Sequence, residues 1–469
     1  MDAVTRHLRA LDQYQKVRAA IWIWLGVFAL LAAGVMSVLL VLARTPWLQN
    51  VLPGTDFFHV ALVVHVDLSV LVWFLACAGL VWTVFGATTQ SRGDDAALGL
   101  AVVGTVMISV APFAGAVRPL MNNYVPVLDH TWFYLGLGSL AAGLVLRALG
   151  YLLTFQWTRL PCTNLDMLRS ALAVAAITVI VAVVSVGVSS VRMPEGLDGQ
   201  FFFEVLFWGG GHVLQFTNTV LVLVAWLLLV WACGSQIRLP PVSGALLFVL
   251  VGLPLVSLPW LYASDVAGEI GRRGFTELMR WGGLAALPLV LILGAAAVRA
   301  SVDGRTEHPL RAVLLCSMSL FAAGGLIGFM INGSNTMIPA HYHGSIVGVT
   351  LAFMGVVYYL LPQLGYAIKH RRLLRWQPYV YGSGQLLHIT GLALSGGYGV
   401  QRKVAGSQQV LDGIAQTTGM GMMGLGGLLA AIGGLGFLII VITALNGRRV
   451  PLDRCAAPWP PAEAAEASH

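Results

Sequence analysis

Apolar residues run along this chain in long blocks separated by short polar punctuation. Twelve such blocks, each of about the 20 residues that cross roughly 30 Å of hydrocarbon, lie near 20–43, 57–86, 96–117, 132–155, 168–190, 202–232, 242–262, 277–298, 309–331, 337–362, 377–399 and 421–446. Each predicts a membrane-crossing helix, because a helix bonds its backbone polar groups within one apolar segment. The chain therefore reads as an all-α integral membrane protein, a bundle of about twelve transmembrane helices. Residues 1–19 form a cytoplasmic leader, 20–446 the membrane domain and 447–469 a cytoplasmic tail. The leader is basic and amphipathic (Arg6, Arg9, Lys16, Arg18), and the first block is too long for a signal-peptide core, so it is expected to stay as a signal anchor.

Composition fixes the class and charge fixes the orientation. Of the 469 residues, 58% are hydrophobic and 10% charged, with a mean hydropathy of +0.81; a soluble domain cannot bury so much apolar surface. With both termini cytoplasmic, the inner loops and tails hold eighteen of the 27 Lys and Arg, the outer loops eight, and Arg147 lies inside the fourth block. That asymmetry obeys the positive-inside rule. The net charge of +7 is thus a topology signal; the partner it implies is the lipid bilayer and no nucleic acid. Five cysteines (Cys77, Cys162, Cys233, Cys316, Cys455) are scattered, with no disulfide or zinc spacing and no CxxCH for covalent haem attachment.

The histidines carry the chemistry. MIPAHYHGSIVGVTLAFMGVVYYLLP opens with His341 and His343, and on a helix positions two apart point roughly 200° from one another. One helix can then hold a cofactor on each face. Imidazole is a common axial ligand of haem iron, and a histidine in lipid costs free energy until it finds a partner. His65 lies about eight residues and His212 about ten from the outer ends of their helices, on the order of 12–16 Å deep. His341 and His343 are somewhat shallower, so four histidines on three helices share the outer half of the membrane. His7, His130, His308, His370 and His469 fall in loops or tails and His59 at an interface, where they read as solvated.

Several motifs go further: AHYHG at 340–344, VVHVDLSVLVWF around His65, YVPVLDH at 124–130, QLLHITGL around His388 and FWGGGHVLQF around His212. Together they resemble the catalytic subunit of the haem-copper oxidase superfamily, which includes cytochrome c oxidases and bacterial nitric-oxide reductases. By that resemblance His341 would bind a high-spin haem, where substrate is reduced, and His65 and His343 a low-spin haem, both haems of the b type. His388 stands in the family's QHFLGL stretch and is expected to steady the haem site before acting as a ligand. Arg402 and Lys403, in GGYGVQRKVAG, resemble the basic pair that neutralises haem propionates. His212 stands where the family has its first copper ligand, and Gly209, Gly210 and Gly211 would let a haem or a neighbouring helix approach closely.

The second metal is where the chain departs from the family. Two adjacent histidines are expected on the seventh helix, but the chain reads VSLPWLYASD there, and no histidine occurs between His212 and His308. A single imidazole makes a poor site for copper or iron. Phe216 replaces the tyrosine or glutamate that the family carries four residues after the histidine, with Gln215 beside it. Tyr262, Asp265 and Glu269 are expected as a helix cap and surface charge instead of substitute donors. None of the lysines (Lys16, Lys369, Lys403) lies in the membrane, and Glu204 and Asp67 are expected as interfacial acids hydrogen-bonded to neighbours.

The resemblance implies a respiratory-chain oxidoreductase of a bacterial-type inner (plasma) membrane. Electrons would come from an external c-type cytochrome or a cytochrome-containing partner subunit, enter the low-spin haem and cross the tenth helix to the haem on His341. Dioxygen or nitric oxide would be reduced there, facing His212. Without the Lewis-acid help of a second metal, reduction would be slower or differently coupled. The alternative is a copper-less di-haem electron relay or gas sensor without turnover. A transporter is disfavoured, since the two halves show no convincing repeat and no matching pair of broken helices.

Overall fold

The computed structural model describes residues 2–46, 55–87, 91–235, 237–302, 308–404, 408–447 and 449. The expected tail past residue 449, with Cys455 and His469, lies outside the described residues. Helices form at all twelve expected positions: α1 Gln13–Arg44, α2 Phe58–Phe85, α3 Arg92–Ala114, α4 Thr131–Leu153, α5 Asn164–Val191, α6 Gly199–Ala232, α7 Pro241–Ala263, α8 Glu269–Ala300, α9 Pro309–Phe329, α10 Met337–Gln363 and α12 Ile414–Leu445, with α11 at Arg371–Gly397. All but α11 are long and apolar enough to cross a membrane. α11 is also 27 residues long, but Gln377, Gln385, His388 and several tyrosines, serines and glycines dilute its apolar character.

Contacts group the chain into two compact units. The first comprises Met1–Gly26, Phe74–Leu227 and Gln236–Ala296; the second comprises Val27–Trp73, Leu228–Ser235 and Ala297–His469. In the first unit the leader is an amphipathic helix, Asp2–Arg9, that buries Val4 and Leu8. His7 is not solvated as expected: its Nε2–H donates to the Val84 carbonyl at 2.8 Å and its ring stacks on Phe85. Burial lowers its pKa, which keeps the ring a neutral donor. α5 starts on a capping box, in which the Asp166 amide donates to Thr163 Oγ1 and the Thr163 amide donates to the Asp166 carboxylate. Between α3 and α4 a short antiparallel pair, β1 Pro119–Leu120 and β2 Val127–Leu128, is closed by the Asn122 side chain, which bonds both backbone polar groups of Val125.

The second unit is held by bare helix faces. On α11 Gly384 and Gly391, and on α12 Gly419, Gly426 and Gly433, recur every seventh residue, the repeat of a left-handed helix crossing. A side-chain carbon at Gly391 would run into the Gly419 carbonyl, and one at Gly426 into the backbone of His388. α9 meets α10 in the same way, Gly324 lying against Gly344 and Ser345. Inside the unit Trp73 stands edge-on to Phe353 and Phe437, and Gln377 accepts from the Tyr358 hydroxyl while donating to the Gly433 carbonyl. The faces turned outward carry large apolar side chains, as along α1 at Phe28, Leu31 and Val35. Lipid is the solvent that makes such faces stable.

Candidate functional site

One rule of presentation sorts the histidines. His65 Nδ1 bonds the Ala33 carbonyl at 2.9 Å, His341 Nδ1 the Gly324 carbonyl at 2.8 Å, His343 Nδ1 the Pro339 carbonyl at 2.9 Å, and His388 Nδ1 the Met423 carbonyl at 2.9 Å. In the first unit His212 Nδ1 bonds the Trp208 carbonyl at 2.6 Å. A carbonyl only accepts, so each Nδ1 carries the hydrogen and each Nε2 keeps its lone pair. That is the tautomer a metal requires, with the second nitrogen fixing the ring. His7 and His59 present the other edge, bonding Val84 and Lys403 carbonyls through Nε2.

Within the second unit the rings of the HxH pair diverge, as helical geometry demands. His341 turns to α9, where a Gly328 side-chain carbon would stand 2.7 Å from its Nδ1. His343 turns to α11, its ring centroid 5.0 Å from that of His388. His65, on α2, lies in the last α-helical turn before a π-helical stretch, Asp67–Val72, and the Ser69 hydroxyl donates to the His65 carbonyl. π turns widen a helix and recur at functional sites. Asp67 lies 1% exposed in this stretch, and neither of its carboxylate oxygens has a hydrogen-bond partner. It is therefore not the bonded interfacial acid expected from sequence, whereas Glu204 is: it accepts from the amide and side chain of Asn123.

Basic residues gather near Tyr342, between the two histidines of the HxH pair. The loop carrying Arg402 and Lys403 is stitched to the segment leading into α10, Asn335 bridging Gln401, Thr336 N donating to the Val400 carbonyl, and Arg402 Nε donating to Ser334 Oγ. Lys403 has a φ of 60°, in the left-handed region that is uncommon for a lysine, and its carbonyl accepts from His59. Arg44, at the end of α1, joins them: it donates to Gln409 Oε1 at 3.2 Å and to the Gln401 carbonyl at 3.3 Å. Arg44 and Arg402 lie within electrostatic reach of Tyr342, and Arg44 also of His343 and His388. Sequence reading passed over Arg44 as a loop charge.

His212 has aromatic surroundings. It is 1% exposed, with ring centroids of Tyr124 at 4.6 Å, Trp208 at 4.8 Å and Phe275 at 6.2 Å. The three glycines before it make room for protein: Gly211 for the Tyr124 ring, Gly210 for the α5 backbone at Ala182, and Gly209 for Tyr262. Tyr262 is no outer cap but a buried anchor, its hydroxyl donating to the Ser185 carbonyl; Asp265 accepts from the Ala267 amide as a turn residue. Among the described residues no three His, Cys, Asp or Glu side chains stand where they could share a metal ion. The donor set at His212 does not fit copper. Tyr124, in the YVPVLDH loop, is the neighbour that sequence reading missed.

Comparisons with known proteins bear on this arrangement. Residues 18–430 match the family model for cytochrome c and quinol oxidase polypeptide I. An uncharacterized protein of Rickettsia prowazekii (strain Madrid E) is 31% identical, over 89% of this chain and 94% of its own. One of Aquifex aeolicus (strain VF5) is 28% identical, over 76% of this chain and 88% of its own. A cryo-EM structure of a haem-copper terminal oxidase dimer shares the fold, with a TM-score of 0.71 at 17% identity, covering 96% of this chain and 87% of that one. The matched span encloses all five of the similarly presented histidines, and with the helix order it makes this chain a divergent member of the haem-copper oxidase subunit I family, a multi-pass membrane oxidoreductase of the respiratory type.

Proposed function

We infer that this chain is the catalytic subunit of a two-haem reductase for dioxygen or nitric oxide, with haems of the b type. His65 and His343 hold the low-spin haem and His341 the high-spin one. Haem supplies electron carriage at the first site and gas binding with reduction at the second. The observation that carries this reading is the shared Nδ1-to-carbonyl bond, which fixes each ring and leaves Nε2 as a ligand nitrogen. Arg44, Arg402 and Lys403 offer donors and positive charge for propionate carboxylates, and His388 steadies His343 from α11. Electrons come from a c-type cytochrome or a cytochrome-bearing partner subunit on the outer side, both termini being cytoplasmic in a bacterial-type inner membrane. His212 enters no metal step, because its surroundings do not supply one. Those same surroundings favour a second reading, a di-haem relay or gas sensor without turnover.

Metal analysis of the purified chain, with reduced and carbon-monoxide difference spectra, tests the site. Two irons per chain, no copper and one carbon-monoxide-binding haem are expected. A stoichiometric third metal would overturn the reading of His212, and a colourless protein after ample haem supply would end the haem assignment. Consumption of dioxygen or nitric oxide under a reduced cytochrome separates the reductase from the relay. A narrower test follows from α9: Gly328→Val fills the space of the His341 ring. It is expected to lower carbon-monoxide-binding haem by roughly 10-fold or more while sparing the low-spin spectrum, in the range of changes that disturb ligand orientation. Equal loss of both signals would place His341 elsewhere.

A further inference from the structure

In the first unit two arginines are withdrawn from solvent further than their partners account for. Arg18 in α1 and Arg147 in α4 are 5% and 6% exposed. Arg18 pairs with Asp95 through Nη2 alone. Arg147 reaches Asp94 through Nη1 at 3.1 Å and the Trp82 carbonyl through Nη2 at 2.6 Å. Arg18 Nε and Nη1 and Arg147 Nε are buried and have no partner. Both guanidiniums line one cavity, together with Tyr14, Gln15, Trp22 and Asp94.

The charges in that cavity do not cancel. The Asp95 side chain is 65% exposed, so water screens it, while Arg18 is shielded from the same water. Asp94, 16% exposed, is the carboxylate that lines the cavity with both arginines among the described residues. The buried atoms of the lining residues that have no partner are all donors, Arg18 Nε, Arg18 Nη1 and Arg147 Nε. A group that completes the site must therefore accept several hydrogen bonds and carry negative charge, and paired guanidiniums match the oxygens of a phosphate. The cavity lies where α1 begins, α2 ends and α3 begins, the polar end of three spans that the basic-residue pattern assigns to the cytoplasmic side. Lipid headgroups occupy that level.

We propose that Arg18 and Arg147 form a phosphate-binding site at this cavity, taken by the headgroup phosphate of a bilayer phospholipid or by free phosphate. The full chain, purified in a neutral detergent and stripped of lipid, tests this by its thermal unfolding midpoint and by native mass spectrometry. Three additions at constant ionic strength are compared: inorganic phosphate, phosphatidylglycerol, and diacylglycerol, which lacks the phosphate. A midpoint raised by phosphatidylglycerol alone, with one lipid retained per chain, identifies the headgroup; a rise with both phosphate compounds identifies any phosphate. In Arg18→Gln and Arg147→Gln, retention should weaken by roughly 10-fold or more, the loss of one strong charge-assisted contact, while Arg92→Gln, an exposed neighbour, retains it. Equal response to diacylglycerol, or none to either phosphate compound by the unaltered chain, overturns the proposal, and neither result depends on a variant folding.

Discussion

His65→Ala is expected to abolish the low-spin haem spectrum and to leave a haem that still binds carbon monoxide. The two ring positions are anchored independently. His65 is fixed by the Ala33 carbonyl of α1, whereas His341 is fixed by Gly324 of α9, and neither shares a hydrogen bond with the other. Removal of an axial imidazole exceeds the loss of an orienting partner, which alone costs 10–100-fold in affinity or activity. Turnover with an external reductant should therefore drop by about 100-fold or more. The measurement is the reduced-minus-oxidised spectrum beside the carbon-monoxide difference spectrum of one preparation. Survival of both signals at full strength would show that His65 is not an axial ligand, and joint loss would show that α2 is a folding element first.

The other large effect concerns packing. Substituting alanine for glycine in a helix usually stabilises it by about 1 kcal/mol. At Gly426 the sign reverses, because the added carbon meets the backbone of His388 and the Gly384 carbonyl, which no side-chain rotation can relieve. The only relief is separation of α11 from α12, which strips contact along the glycine repeat and pulls Met423 from His388. Gly426→Ala is thus expected to cost several kcal/mol, above the roughly 1–3 typical of overpacking, and to leave little folded protein in the membrane. Gly421→Ala, on the same helix with open space around it, should fold at or above the original yield. Size-exclusion monodispersity and the thermal aggregation midpoint report the contrast, and equal behaviour of the two variants would refute the close approach.

The spans were readable from sequence because lipid leaves so little choice: an apolar block must bond its own backbone. α11 is instructive, since its apolar run begins near 377 while the helix starts at Arg371; the basic turn belongs to the helix but not to the hydrocarbon. The HxH divergence was readable for the same reason, as it follows from residues per turn. Arg44 was not, because its partners Gln401 and Gln409 lie more than 350 residues away in the chain. Nor was Tyr124, whose place beside His212 depends on a loop entering the gap above Gly211. The glycines before His212 were rightly read as permitting close approach, but which neighbour approaches is decided in three dimensions. Asp67 shows the opposite limit: a polar residue in an apolar block suggests a partner, and only the fold reveals that none is bonded to it among the described residues.

The imidazoles are tethered to main chain throughout, at Ala33, Trp208, Gly324, Pro339 and Met423. Amide oxygens are present whatever the codon, so apart from Gly324, whose bareness α10 needs, substitutions at these anchors need not release a ring. A lineage built this way can exchange much of its surrounding chemistry over time and still keep the same nitrogens aimed.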